Sequence, residues 1–99
     1  VKPDVIIYNA AISACEKGAR WQEALGMFLR VCQNKLEPTV ITYGAAISAC
    51  EKRARWQEAL GMFLDMRQHH LEPNVIASSA AISACEKAGR WQEAMGIFL

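Results

Sequence analysis

The octapeptide AAISACEK occurs three times in this chain, at Ala10–Lys17, Ala45–Lys52 and Ala80–Lys87, each copy 35 residues after the last. RWQEA follows at the same interval, at Arg20–Ala24, Arg55–Ala59 and Arg90–Ala94. The two complete units, 5–39 and 40–74, differ at only nine of 35 positions. A unit this short cannot bury its own apolar stripe, so it must stack on its neighbours. The 99 residues divide into the end of a preceding repeat (1–4), a first repeat (5–39), a second (40–74) and a truncated third (75–99). Because it opens at Val1 and stops at Leu99 inside an apolar pattern, the chain reads as an internal fragment.

Each unit reads as two helices, A and B. Ile7, Ala10, Ala11, Ala14 and Cys15 fall on one face of helix A, and Trp21, Ala24, Leu25, Phe28 and Leu29 on one face of helix B. Lys17-Gly18-Ala19-Arg20 separates them. Pro38 and Pro73 stop helix B, because proline disfavours helical geometry in the residue before it. Asp4, Thr39 and Asn74, which follow the prolines, are N-cap types and place the next helix start there. The expected fold is all-α: a right-handed superhelical α-solenoid of helix-turn-helix repeats. Small alanines should let A helices approach one another. Trp21, Phe28 and Leu29 should fill the space between B helices, with the three tryptophans as core or rim anchors. Glu16 and Arg20 are spaced for a local ion pair.

Composition narrows the function. With 11 basic and 10 acidic residues the net charge is +1, which argues neither for nucleic acid nor for a membrane surface. Stretches free of charge, such as Val5–Cys15, are far shorter than the ~20 residues of a membrane helix. Cys15, Cys50 and Cys85 recur once per unit, and no CxxC pair is present. They read as small buried thiols in a reducing compartment rather than metal ligands or disulfide partners.

The opposite face of helix A carries four rows. Ile6, Ile41 and Ile76 form an aliphatic row. Asn9, Gly44 and Ser79 form a variable small polar row. Ser13, Ser48 and Ser83 form a serine row, and Lys17, Lys52 and Lys87 a lysine row. In a unit that is mostly copied verbatim, the small polar row reads Asn9, Gly44, Ser79 and the cap row reads Asp4, Thr39, Asn74, so both differ in every copy. Gly44 stands inside a helix, where glycine costs ~1 kcal/mol relative to alanine.

The 35-residue period, the Val-Ile-Thr-Tyr opening, Ala-Ile-Ser-Ala-Cys-Glu-Lys, the Arg-Trp-Gln-Glu-Ala-Leu helix and the closing Leu-Glu-Pro together resemble the pentatricopeptide repeat family, over Val5 to Leu99. The W-x2-L-G-x2-Y pattern of the tetratricopeptide relative is absent. The resemblance implies binding of single-stranded RNA, about one base per repeat. It implies base reading by a unit's fifth residue together with its last: Asn9 with Thr39, and Gly44 with Asn74. Ser79 and Asp4 are single members of further pairs. It implies that Ile6, Ile41 and Ile76 wedge against bases and that Lys17, Lys52 and Lys87 meet phosphates. It further implies a mitochondrion or plastid, a role in RNA processing, stability, editing or translation, and other organellar RNA-processing proteins as partners. No membrane, small-molecule substrate, cofactor or metal is expected. Ser78 in place of tyrosine, Thr39 as a closing residue, and Gly18 and Arg53 in the inter-helix turn depart from the family pattern.

The competing reading is a protein-binding scaffold that grips an extended peptide along the same surface. An enzyme is the least supported class. His69 and His70 occur in one unit only and read as solvated, while Glu16 and Glu23 recur in every unit, as structural residues do.

Overall fold

The computed structural model describes residues 3–98. Residues 1 and 2 of the segment assigned to a preceding repeat, and Leu99, lie outside them. Six helices and no strand are present among the described residues: α1 (Pro3–Lys17), α2 (Trp21–Gln33), α3 (Val40–Glu51), α4 (Trp56–Gln68), α5 (Val75–Lys87) and α6 (Trp91–Phe98). The A helices α1, α3 and α5 pack side by side in one layer. The B helices do not approach one another closely. Instead α2 sits over α1 and α3, and α4 over α3 and α5, so that consecutive hairpins stack as a solenoid.

The small side chains of the A layer explain its closeness. Ala46, Ala49, Ala81 and Ala84 are fully buried, with Ile12, Ile47, Val31 and Met66 around them. Phe28 reaches beneath its own helix to meet the edge of Tyr43 in the next repeat, ring centroids 4.8 Å apart. Tyrosine also ties each of the first two hairpins together: Tyr43 Oη donates to Asp65 at 2.6 Å, and Tyr8 Oη accepts from Asn34 at 3.1 Å. Ser78 lacks the ring, and a cavity of about 510 Å³ lined by Phe63, Leu71, Ser78 and Ile97 lies there.

Several expectations are corrected. Leu29 and Leu64 do not fill the space between B helices; they are exposed on the outer surface, because each B helix leans on two A helices rather than on its neighbour. In the first unit Ile7 is 66 % exposed, and Ala10 and Ala14 are also open. That face packs in the second and third units against the preceding A helix. Asp4 is not an N-cap: α1 runs back to Pro3, a residue tolerated in a first helical turn, and Asp4 lies inside that turn. Thr39 and Asn74 do cap, accepting from the backbone N–H of Thr42 at 3.3 Å and Ala77 at 2.8 Å. Among the cysteines, Cys50 and Cys85 are buried, Cys15 is half-buried and Cys32 is exposed. Burial pushes the Cys50 thiol up to about 12, with Glu58 adding to the shift.

Every turn closes with the same device. Arg20 N–H bonds to the Cys15 carbonyl at 2.8 Å and Ala19 N–H to the Glu16 carbonyl at 3.1 Å, a Schellman motif repeated at Ala54-Arg55 and Gly89-Arg90. The left-handed residue of the turn between helices A and B is therefore Ala19 (φ 56), Ala54 (φ 53) or Gly89 (φ 73). Only the third turn has glycine where the geometry asks for it. Meanwhile Gly61 stands inside α4 with open space around a would-be Cβ. Exchanging the two types in the central repeat should stabilise it: Ala54→Gly relieves left-handed strain and Gly61→Ala improves helix propensity, each by about 1 kcal/mol. Urea denaturation of the two single variants and of the double variant checks the sign and the additivity.

Candidate nucleic-acid interface

The A layer presents one continuous surface, and the rows read from the sequence can be followed across it. Ile6, Ile41 and Ile76 are 57 %, 67 % and 64 % exposed. End effects do not explain this, because Ile41 belongs to the central repeat, whose A helix is otherwise deeply buried. An aliphatic side chain more than half exposed in all three copies is not held there by core packing.

The variable row lies at the seam between successive A helices. Asn9 is half-buried, and its Oδ1 accepts from the Thr42 hydroxyl at 2.5 Å. Thr42 is fully buried and forms a capping box with Thr39: Thr39 N–H donates to Thr42 Oγ1 at 3.0 Å, and the two hydroxyl oxygens are 3.2 Å apart. Asn9 and Thr39 thus meet through one buried hydroxyl. Gly44 occupies the equivalent place at the next seam. Packing does not demand glycine there, since a Cβ would only touch Ile76 Cγ2 at an ordinary 3.9 Å. Asn74, the residue paired with Gly44, is exposed apart from its capping bond, and Ser79 is exposed. Asp4 is exposed in the first turn of α1.

The lysine row is not a row of free charges. Lys52 Nζ lies 3.0 Å from Glu16 of the preceding repeat, and Lys87 pairs in the same way with Glu51. Ser83 Oγ donates to the same Glu51 carboxylate at 3.0 Å. Lys17 is exposed. The expected Glu16–Arg20 pair does not form. Glu16 reaches across to Lys52, and Arg20 turns to Glu23 at 2.6 Å. At the start of the B helices, Arg55 stacks over the Trp21 ring at 4.3 Å and Arg90 over Trp56 at 4.2 Å. The tryptophans of the first two repeats are therefore rim anchors clamped by the next repeat's arginine, a contact worth about 0.5–1 kcal/mol at an exposed site.

Sequence reasoning missed both ladders and Thr42. The Glu-Lys and Arg-Trp dipeptides, copied verbatim in every unit, were the available signal for the ladders. His69 and His70 are exposed, and His69 Nδ1 lies 2.9 Å from the Asp65 carbonyl oxygen. Among the described residues no cluster of three His, Cys, Asp or Glu side chains could hold a metal ion, and no helix is long and apolar enough to cross a membrane.

Burial acts to raise the Glu51 pKa, but the Lys87 ammonium and the Ser83 hydroxyl outweigh it and hold the carboxyl below the usual carboxylate range. Glu51 ionises more readily folded than unfolded. Its contribution is complete above the ordinary carboxylate pKa and disappears as the pH falls through the lowered folded value. Glu51→Gln should therefore flatten the acid limb of a plot of melting temperature against pH, with the variant and the parent converging at the acid end.

Tandem helical hairpins with an open, polar-lined A layer define a helical-repeat protein. Family comparison specifies which: the PPR repeat family matches residues 3–52, and the PPR repeat matches 41–71 and 76–99. The chain belongs to the PPR, or pentatricopeptide, repeat family, whose members are generally involved in RNA binding. No curated protein matches it.

Proposed function

We propose that this chain binds single-stranded RNA along the A layer, about one base per repeat, as a binder and not a catalyst. The observation that carries this reading is the exposed isoleucine in every repeat, Ile41 above all. A row of aliphatic side chains at one-repeat intervals suits flat bases inserted between them, since every base offers a π-face. Asn9 with Thr39 and Gly44 with Asn74 read base edges, and Ser79 and Asp4 belong to neighbouring pairs. Lys17, Lys52 and Lys87 meet phosphates, with Glu16 and Glu51 yielding part of their hold on Lys52 and Lys87 when a phosphate arrives. The near-neutral charge fits modest non-specific affinity. The setting that follows from the family is RNA processing, stability, editing or translation in a mitochondrion or plastid, in company with other RNA-processing proteins.

The test is a nuclear magnetic resonance titration of the chain with single-stranded and double-stranded oligoribonucleotides of equal length. Single strands should shift the A-layer amides, those of Ile41 and its neighbours first. Shifts confined to the outer B-helix face, or equal response to duplex RNA, would count against the reading. An extended peptide that displaced RNA from the A layer would favour the protein-scaffold alternative.

A further inference from the structure

We propose that Thr42 is a positioning residue for base choice: its buried hydroxyl fixes the Asn9 amide so that the NH₂ group faces the RNA, which makes the first repeat prefer cytosine to uracil. The inference rests on the base-reading role of Asn9 proposed above. The hydrogen bonds fix the direction. Thr42 Oγ1 accepts from Thr39 N–H at 3.0 Å, so its single proton is free to donate. That proton goes to Asn9 Oδ1, 2.5 Å away, which sets the amide with its oxygen inward. What Asn9 has left to offer is two N–H donors.

The pairing edges of the two pyrimidines differ at one atom that matters here. Cytosine presents N3 and O2, two adjacent acceptors. Uracil presents an N3–H between its O2 and O4 acceptors, so an N–H aimed at the N3 position meets a donor and only a flanking carbonyl can accept. A free asparagine could rotate its amide and accept from uracil, but an asparagine held by Thr42 cannot without breaking that bond. Thr39 need not take that proton: its own hydroxyl can donate to Thr42 Oγ1 across 3.2 Å while accepting from Thr42 N–H at 3.3 Å.

The neighbouring seam supports the pairing of these two residues. Where the fifth residue is Gly44, with no amide to orient, the place of Thr42 is taken by Ala77, with no hydroxyl. Of the two seams in the chain, the hydroxyl is present at the one that has an amide to hold.

The experiment titrates the whole ¹⁵N-labelled chain with the trinucleotides CAA and UAA, following the Asn9 side-chain amide together with the backbone. The parent should bind CAA roughly fivefold more tightly than UAA, the effect of about one hydrogen bond. Thr42→Val keeps the shape and should bring that ratio to about one while moving the Asn9 amide resonance; Thr42→Ser should keep the preference. Asn9→Asp offers only acceptors and should turn the preference towards UAA, which decides the matter if Thr42→Val does not fold. A parental ratio surviving in Thr42→Val, or a cytosine preference surviving in Asn9→Asp, would overturn the role of Thr42 and leave RNA binding standing. Equal binding of CAA and UAA by the parent would overturn it too. No binding of either would overturn the RNA reading itself.

Discussion

Ile47→Ala should destabilise this chain by about 2–5 kcal/mol, a large share of the 5–15 kcal/mol typical of a whole domain. Ile47 is fully buried in α3, the helix that touches both neighbouring repeats. Removing its side chain leaves a void that α3 cannot collapse, because alanines already bring α1 and α5 close on either side. The repeats supply an internal control. Ile82 has the same sequence neighbours but is only half-buried, so Ile82→Ala should cost clearly less. The contrast is sharper at the helix starts: Val5 is 3 % exposed, whereas the equivalent Val75 is 80 % exposed. Val5→Ala should be measurably destabilising and Val75→Ala close to neutral. Urea denaturation of the four variants tests the set. Equal costs at Ile47 and Ile82 would mean that stability is not set by stacking between neighbours.

That control shows where sequence reading succeeds in a repeat protein and where it stops. The 35-residue period and the apolar spacing within each unit are properties of one strip of chain, and they led directly to paired helices and to Phe28 and Ala24 as core. Burial is a property of the stack. Ile7 and Thr42 hold the same place in the repeat, yet Ile7 is exposed and Thr42 fully buried, because only Thr42 has an A helix before it in this chain. The same limit explains the ion pairs. Glu16–Arg20 satisfies helical spacing, but stacking brings Lys52 closer to Glu16 than any residue of its own hairpin does. Leu29 fits the apolar pattern of helix B and still faces outward, since the pattern gives a face without saying whether the next B helix will cover it. Turn geometry was hidden for a different reason. Gly89 is the one glycine at the left-handed position, while the first turn places Ala19 there, a position fixed by the hydrogen bonds to Cys15 and Glu16. In the candidate site, the exposed isoleucine row and the two cap residues Thr39 and Asn74 were legible. The buried hydroxyl joining Asn9 to Thr39 was not, because its partners are 33 and three residues away.

Asn74→Asp should change which purine the second repeat prefers, from adenine to guanine, by roughly tenfold in relative affinity, the scale of one hydrogen bond to a charged group. The substitution is well placed to report on function alone. Asn74 Oδ1 accepts from Ala77 N–H at 2.8 Å, and aspartate is as good an N-cap as asparagine, so α5 should start unchanged. What changes is the atom beside that oxygen. The amide NH₂ can donate to adenine's ring nitrogen. A carboxylate oxygen in its place repels that nitrogen and accepts guanine's N–H instead. Gly44, with no side chain opposite, leaves room for either purine, so size does not confound the comparison. Lys52→Ala is the companion measurement: loss of a phosphate contact should weaken all sequences about equally and reduce the salt dependence of binding. Competition between CAA and CGA for the chain, with and without the Asn74 change, gives the readout. An affinity change equal for all bases at the second position would reduce Asn74 to a helix cap and remove base reading from this repeat.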